Sequence, residues 1–374
     1  MRHLLLCLCA AASLLAQEPA PTAGTGTAAR SGVAFDAYYF GSGFAFDHVV
    51  EWTVPLGLSH RLGQRLSVDL SSAYAHASAA TTSGNLALSG MTDTDIRATW
   101  AAVSGHLVVS LAGTLPTGKE AVSGQNVPLL SALATELFSF TTPSFGTGGG
   151  VTGGFATAFK LGQRWAAGIG GSYRWYAGYT PLAGGGDLEP GGEGRVRLGA
   201  EGPLGSGGYF RGALVYATAS ADTLVAGSRS ASGARILLYS GLSVPAGRGN
   251  LSVYAYDRYR LRPNGYDSTV VQVPRANVVA LGARLDRPLS TAWSIAPTIE
   301  FRHELAAAGG GDSIALLGWL VRPGVDVRYR ASSVLTVLLQ GEAAFGRLAN
   351  TGSTNGGSVS LTGPRAVMLL EWAR

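Results

Sequence analysis

The stretch TAWSIAPTIEFRHE, residues 291–304, interleaves two side-chain sets. Trp293, Ile295, Pro297, Ile299 and Phe301 make one; Ser294, Ala296, Thr298, Glu300, Arg302 and Glu304 make the other. In an extended strand successive side chains point to opposite faces, so this segment has an apolar face and a charged face. The division recurs along the chain. Residues 164–176 set Trp165, Ala167, Ile169, Tyr173 and Trp175 against Arg164, Ser172 and Arg174. In 195–201, Val196, Leu198 and Ala200 oppose Arg195, Arg197 and Glu201; in 321–329, Val321, Val325 and Val327 oppose Arg322, Asp326 and Arg328. A strand of this kind needs a different solvent on each side. A soluble sandwich offers core and water; a barrel in lipid offers lipid and a wet lumen.

Composition favours the second. Charged residues are 14% of the 374, against about 25% in ordinary globular chains. The 54 glycines are roughly double the usual share. At 46% hydrophobic the chain is too apolar for disorder. Its longest apolar run beyond the N-terminus, 314–321, is far short of the ~20 residues of a spanning helix. Aromatics sit near the ends of apolar faces, at Trp52, Tyr74, Trp100, Trp165, Trp175, Trp293, Phe301, Trp319 and Trp372, as interfacial girdles require. Long Arg and Glu on the opposite faces suit a hydrated channel better than a packed core.

Short turn signals centre near 62, 104, 162, 205, 247, 289 and 332, a spacing of 42 or 43 broken once by 58. Each separates two alternating runs, the hairpin pattern, and the runs exceed the five or six residues of soluble strands. Seven hairpins, a first run at 32–39 and a last at 358–372 predict a transmembrane antiparallel up-and-down β-barrel of 16 strands, with 14 as the fallback if the first run is not in the wall. An even count returns both termini to the periplasm. The longer connections, 78–89, 116–148, 179–190, 220–230, 261–275, 304–311 and 348–356, are then extracellular loops, and the turns are periplasmic.

Residues 1–16 read as a secretory signal: Arg2, an apolar run at 4–15, and a small residue, Ala16, at the cut. Both cysteines, Cys7 and Cys9, fall within it, so no disulfide framework is expected in the mature chain. Residues 17–31, rich in Pro, Ala, Thr and Gly, read as a flexible periplasmic leader, and 32–374 as the barrel. All but Lys119 and Lys160 of the 28 cations are Arg, scattered singly; no basic run suggests nucleic acid.

Two features are candidates for function. The polar phase carries Arg97, Arg164, Arg174, Arg195, Arg197, Arg211, Glu300, Arg302, Arg322, Asp326 and Arg328. Cross-strand pairing accounts for much of this charge, and the Arg excess points to weak anion preference. The insertion 116–148 holds a short helical pattern at 127–138, with Leu129, Leu130, Leu133 and Leu137 on one face and Phe138 after it. Folded inward, that loop narrows the lumen and favours apolar or aromatic solutes. No catalytic constellation appears. The histidines lack metal-pair spacing. Glu300 and Glu304 lie ~13 Å apart on a strand, too far for a glycosidase pair. No cofactor and no catalysis are expected.

The segment ending Leu115-Pro116-Thr117-Gly118, and Phe145-Gly146-Thr147-Gly148 leading into the hairpin that turns at Leu161-Gly162-Gln163, resemble a bacterial outer-membrane family. It is the transporter-like β-barrel family linked to meta-pathway phenol degradation, related to long-chain fatty-acid transporters. The resemblance covers roughly 90–180 and implies passive uptake of small hydrophobic or aromatic solutes. The expected role is therefore an outer-membrane channel, with a weakly anion-selective porin, a membrane-embedded lipid hydrolase and a non-conducting structural barrel as rivals. Its expected partners are outer-membrane lipid, small solutes and, during biogenesis, the barrel-assembly machinery. Nothing in the sequence specifies an oligomeric state.

Overall fold

A computed structural model describes residues 26–82, 84–103, 106–205, 207–224, 227–264, 270–307, 314–349 and 357–374. The signal at 1–16 and most of the leader lie outside these residues. The wall comprises β1 (Thr27–Phe40), β2 (Phe46–Leu62), β3 (Leu66–Thr81), β4 (Gly84–Met91), β5 (Thr94–Val103), β6 (Leu107–Leu115), β7 (Gly150–Leu161) and β8 (Trp165–Tyr176). After the two-residue β9 (Leu188–Glu189) come β10 (Glu193–Leu204) and β11 (Gly208–Ala219). The short β12 (Asp222–Leu224) and β13 (Arg229–Ala231) precede β14 (Arg235–Ala246) and β15 (Gly249–Arg260). The short β16 (Val270–Gln272) precedes β17 (Ala276–Pro288), β18 (Trp293–Ala307), β19 (Ile314–Arg330), β20 (Leu335–Ala349) and β21 (Ser358–Ala373).

Both β4 and β5 pair with β3, so they are two halves of one wall position, interrupted at Thr92-Asp93. Counted so, the wall has 16 antiparallel strands. β1 pairs with β21 from Ala28↔Ala373 to Phe40↔Leu361 and closes the barrel. Closure leaves no free edge in the wall, so every ladder group in the lipid layer has a partner. The 14-strand alternative is excluded. All seven short turns fall where the sequence places them.

Three boundaries differ from the expectation. β1 begins at Thr27, so residues 27–31 belong to the wall and not to the leader. Residues 78–89 are not a loop: β3 runs to Thr81 and β4 starts at Gly84. β18 runs to Ala307, so residues 304–307 belong to the wall and not to the 304–311 loop; the rest of that range lies outside the described residues.

The two phases segregate as 291–304 announces. Trp293, Ile299 and Phe301 are exposed on the outside, while Ala296, Arg302 and Glu304 are buried inside. β21 alternates exposed and buried from Ser358 to Leu370 without a break, with Met368 and Leu370 outward and Val367 and Leu369 inward. The outward residues form an apolar belt with aromatics at Trp52, Tyr74, Trp100, Trp175, Trp293 and Trp372. A closed barrel with this belt is an integral protein of the bacterial outer membrane.

The seam is tight at Gly363, where a Cβ would lie 1.9 Å from the Ala37 carbonyl oxygen. Backbone cannot yield there without parting β1 from β21. Gly363→Ala is expected to cost about 1–3 kcal/mol, an overpacking penalty. Loss of the compact electrophoretic form at a lower temperature in SDS would show it; an unchanged transition would not fit this seam.

Candidate functional site

The long β6–β7 connection turns into the barrel. Its helix, Val127–Leu133, opens with Pro128, whose missing N–H costs nothing in a first turn. Leu129, Leu133 and Leu137 are fully buried, Phe138, Phe140 and Phe145 nearly so, and Leu130 half-buried. They pack on inward residues of the wall from β19 through β1 to β4, among them Leu320, Leu361, Tyr38, Val49, Ala77 and Leu88. Burying side chains of this size contributes about 1.5–3 kcal/mol each. β19 lies seven wall positions from β6, counted through the closing seam of the 16-stranded wall, so the loop reaches the far side of the lumen.

Polar contacts fix its path. On one side, wall guanidiniums read its carbonyls. Arg302 donates to Glu136 O (2.9 Å), Arg322 to Leu137 O (3.2 Å) and to Phe138 O, and Arg365 to Ser139 O (3.4 Å). The Tyr38 hydroxyl also donates to Phe138 O (2.6 Å). On the other side, wall carboxylates take its donors. Leu137 N–H donates to Glu304 Oε2 (3.1 Å), Thr142 N–H to Glu51 Oε1 (2.7 Å) and Thr141 Oγ1 to Asp36 Oδ2 (2.8 Å). Thr147 N–H and Gly118 N–H both donate to Asp93, at the interruption between β4 and β5 (2.7 and 3.1 Å). Charge-assisted bonds of this kind are about twice as strong as neutral ones. Ser139 takes φ +55°, the one non-glycine in the left-handed region among the described residues, where the chain turns between two of these anchors.

The other half of the lumen, from β8 through β17, carries a second set of charged side chains, free of the loop backbone. Glu193 binds both Arg195 and Arg235; Glu201 faces Arg211 (3.3 Å); Arg284 binds Asp286 (2.8 Å) and Asp326. Arg174 lies over the Tyr176 ring (4.5 Å) and Arg211 over Tyr209 (5.4 Å). Glu300 accepts from Tyr254 (2.5 Å) and Arg302 (2.6 Å). Tyr254 reaches it across β17 because Gly282 has no Cβ, which would sit 2.3 Å from the ring.

The residues expected from the sequence divide accordingly. Arg174, Arg195, Arg197 and Arg211 line the open half. Glu300, Arg302 and Arg322 join the wall to the loop, and Asp326 pairs with Arg284. Arg97 faces inward opposite Asp69, and Arg328 lies on the inward phase of β19, opposite Ser294. Arg164 is displaced from expectation: it sits in the exposed β7–β8 turn, one residue before the wall resumes at Trp165. The helix also ends at Leu133, shorter than 127–138. Asp36, Glu193, Arg365 and Glu136 are contacts the sequence alone did not single out. Each lies on an inward phase or in the loop and has a partner many residues distant: Arg365 for Asp36, Arg235 for Glu193 and Arg258 for Glu136.

β9, β12, β13 and β16 form a four-stranded sheet from three extracellular loops, in the order β16-β13-β12-β9. The connection that carries β9 joins the inward loop where Val122 N–H donates to Pro181 O (3.1 Å) and Ala183 N–H to Val122 O (2.9 Å).

No protein-family model and no curated protein matches the chain. Among solved structures it is similar to OccK5 (OpdH) of Pseudomonas aeruginosa, at TM-score 0.48 and 11% identity over 94% of this chain and 98% of that one. OccAB3 of Acinetobacter baumannii gives 0.47 and 8% over 94% and 98%. OmpT of Vibrio cholerae, an outer-membrane protein, gives 0.43 and 9% over 95% and 100%. The chain's own ladders, closure and apolar belt establish what it is at the level of fold: a 16-stranded outer-membrane β-barrel with one loop folded into its lumen.

Proposed function

We propose that the chain is a passive outer-membrane channel that favours small anions, aromatic carboxylates among them. One observation carries this. Around the open half, Glu193, Glu201 and Asp326 are buried while the guanidiniums they pair with are exposed; Asp286, the second partner of Arg284, is itself exposed. Glu193 is 5% exposed against 31% for Arg195 and 44% for Arg235; Glu201 is 5% against 48% for Arg211; Asp326 is 10% against 36% for Arg284. Pairing lowers the net charge, yet the surface a solute meets holds more guanidinium than carboxylate. Charged linings bias which ions enter.

The lumen and constriction roles of the residues above belong to this proposal. Neutral aromatic solutes, which the phenol-pathway resemblance implies, have less support. Leu129, Leu133 and Leu137 are spent on the wall and cannot touch a solute; the helix leaves Val127, Pro128, Ser131 and Ala134 exposed. The rings beside Arg174 and Arg211 support an aromatic body attached to an anionic group.

Planar-bilayer recording under a KCl gradient tests the proposal. An anion-selective reversal potential is expected. A cation-selective potential or absent conductance would overturn it, and hydrolysis of phospholipid by the purified barrel would replace it with the enzyme class.

A further inference from the structure

Glu136 has a fixed backbone and a half-free head. Its carbonyl accepts from Arg302 (2.9 Å), and the next N–H, of Leu137, donates to Glu304 (3.1 Å). Arg302 and Glu304 are both buried. The Glu136 side chain takes no part in this clamp. It reaches from the loop to Arg258 on β15, Oε1 to guanidinium 2.7 Å, with 41% and 40% of the two side chains exposed. That is the one ion pair of Arg258 among the described residues.

Arg258 stands in a cationic corner. Arg260 shares its strand and phase, and Arg235 lies opposite Arg260 on β14. Two buried wall carboxylates border this corner: Glu193 is already taken by Arg195 and Arg235, and Glu304, in register with Arg258 across β17, by the Leu137 N–H. The wall thus offers three guanidiniums in one place, and the loop supplies a carboxylate to one of them.

We infer that Glu136 is a tethered stand-in for the carboxylate of a permeating solute, and that Arg258, flanked by Arg260 and Arg235, is the site where a small monocarboxylate binds. This rests on the anion-channel proposal and names its ligand class and subsite. An exposed ion pair is weak in water, so exchange with a free carboxylate costs little. A tethered partner acts at an effective concentration on the order of millimolar. Free carboxylate in that range therefore competes with Glu136 for Arg258. The clamp on residues 136 and 137 holds the loop in place while the side chain swings away.

Benzoate titrated calorimetrically into the full-length barrel, folded in detergent, tests this apart from any current. Glu136→Gln removes the competitor and leaves the backbone clamp. The benzoate Kd is expected to fall severalfold in this variant and to rise severalfold in Arg258→Gln. Retention of the compact electrophoretic form confirms that each variant is folded. An unchanged Kd in Glu136→Gln, or binding that survives in Arg258→Gln, overturns the inference. If wild-type reversal potentials are anion-selective while the two Kd values do not move, the channel proposal stands and the subsite falls. If benzoate responds as expected but no current flows, the site stands and the channel proposal falls.

Discussion

Replacing residues 120–145 with a short Gly-Ser linker is expected to raise single-channel conductance severalfold and to weaken anion selectivity. The loop packs against the inward face from β19 through β1 to β4 and leaves only the half from β8 to β17 open. Removing it widens the passage. It also uncovers Asp36, Glu51 and Glu304, which now accept from loop donors, together with Arg302, Arg322 and Arg365, which now donate to loop carbonyls. Three acids and three guanidiniums, with no net charge between them, then face water opposite the Arg surface, and the lining becomes mixed. The barrel itself should survive, because no residue of 120–145 takes part in a wall ladder. Bilayer recording on the refolded variant checks this, with electrophoretic compactness as the control for folding. Conductance equal to wild type would mean that the loop does not set the passage.

The fold was legible because lipid and water impose opposite demands on alternate residues. Trp293 to Phe301 satisfies one, Ser294 to Glu304 the other, and a hairpin period near 42 does the counting. Legibility failed where the lumen is not wet. On β3 and β4 the inward residues Ala75, Ala77, Ala79 and Leu88 are buried under the loop, while Ser72, Ser78 and Ser89 sit on the outward phase. A wall covered on its inside by an apolar loop loses its polar phase, so residues 78–89 looked like a Ser- and Thr-rich connection. The small inward alanines are the imprint of the packed loop, not of a turn. The candidate site was half legible for a related reason. Alternation assigns Arg195 and Arg211 to the lumen, but it does not say which acid each meets. Glu193 and Arg235 are 42 residues apart in sequence and paired in space. The inward path of 116–148 was readable from its leucines; its anchors on Arg322, Arg365 and Glu304 come from strands that the barrel's closure brings around to face it.

Arg365→Leu is expected to destabilise the barrel by about 3–5 kcal/mol, the cost of breaking a buried pair from one side. Arg365 and Asp36 are register partners across the closing seam, with Nε to Oδ1 at 3.3 Å, and only 8% and 1% of the two side chains are exposed. Arg365 further donates to Ser139 O and Thr141 Oγ1 (3.4 and 3.5 Å), and Thr141 holds the other oxygen of Asp36. Without the guanidinium, Asp36 keeps a buried charge with one hydroxyl for company, and the loop loses its last anchor on β21. Replacing both residues with leucine tells the two consequences apart. Apolar pairs of similar volume commonly match or exceed a buried ion pair in stability, because neither charge is then desolvated. Asp36→Leu/Arg365→Leu should therefore recover most of the loss in denaturant unfolding followed by tryptophan fluorescence. Should the double variant be as unstable as Arg365→Leu alone, the stranded charge is not the cause, and Arg365 acts chiefly as the loop's anchor. The double variant should then also resemble the 120–145 deletion in conductance.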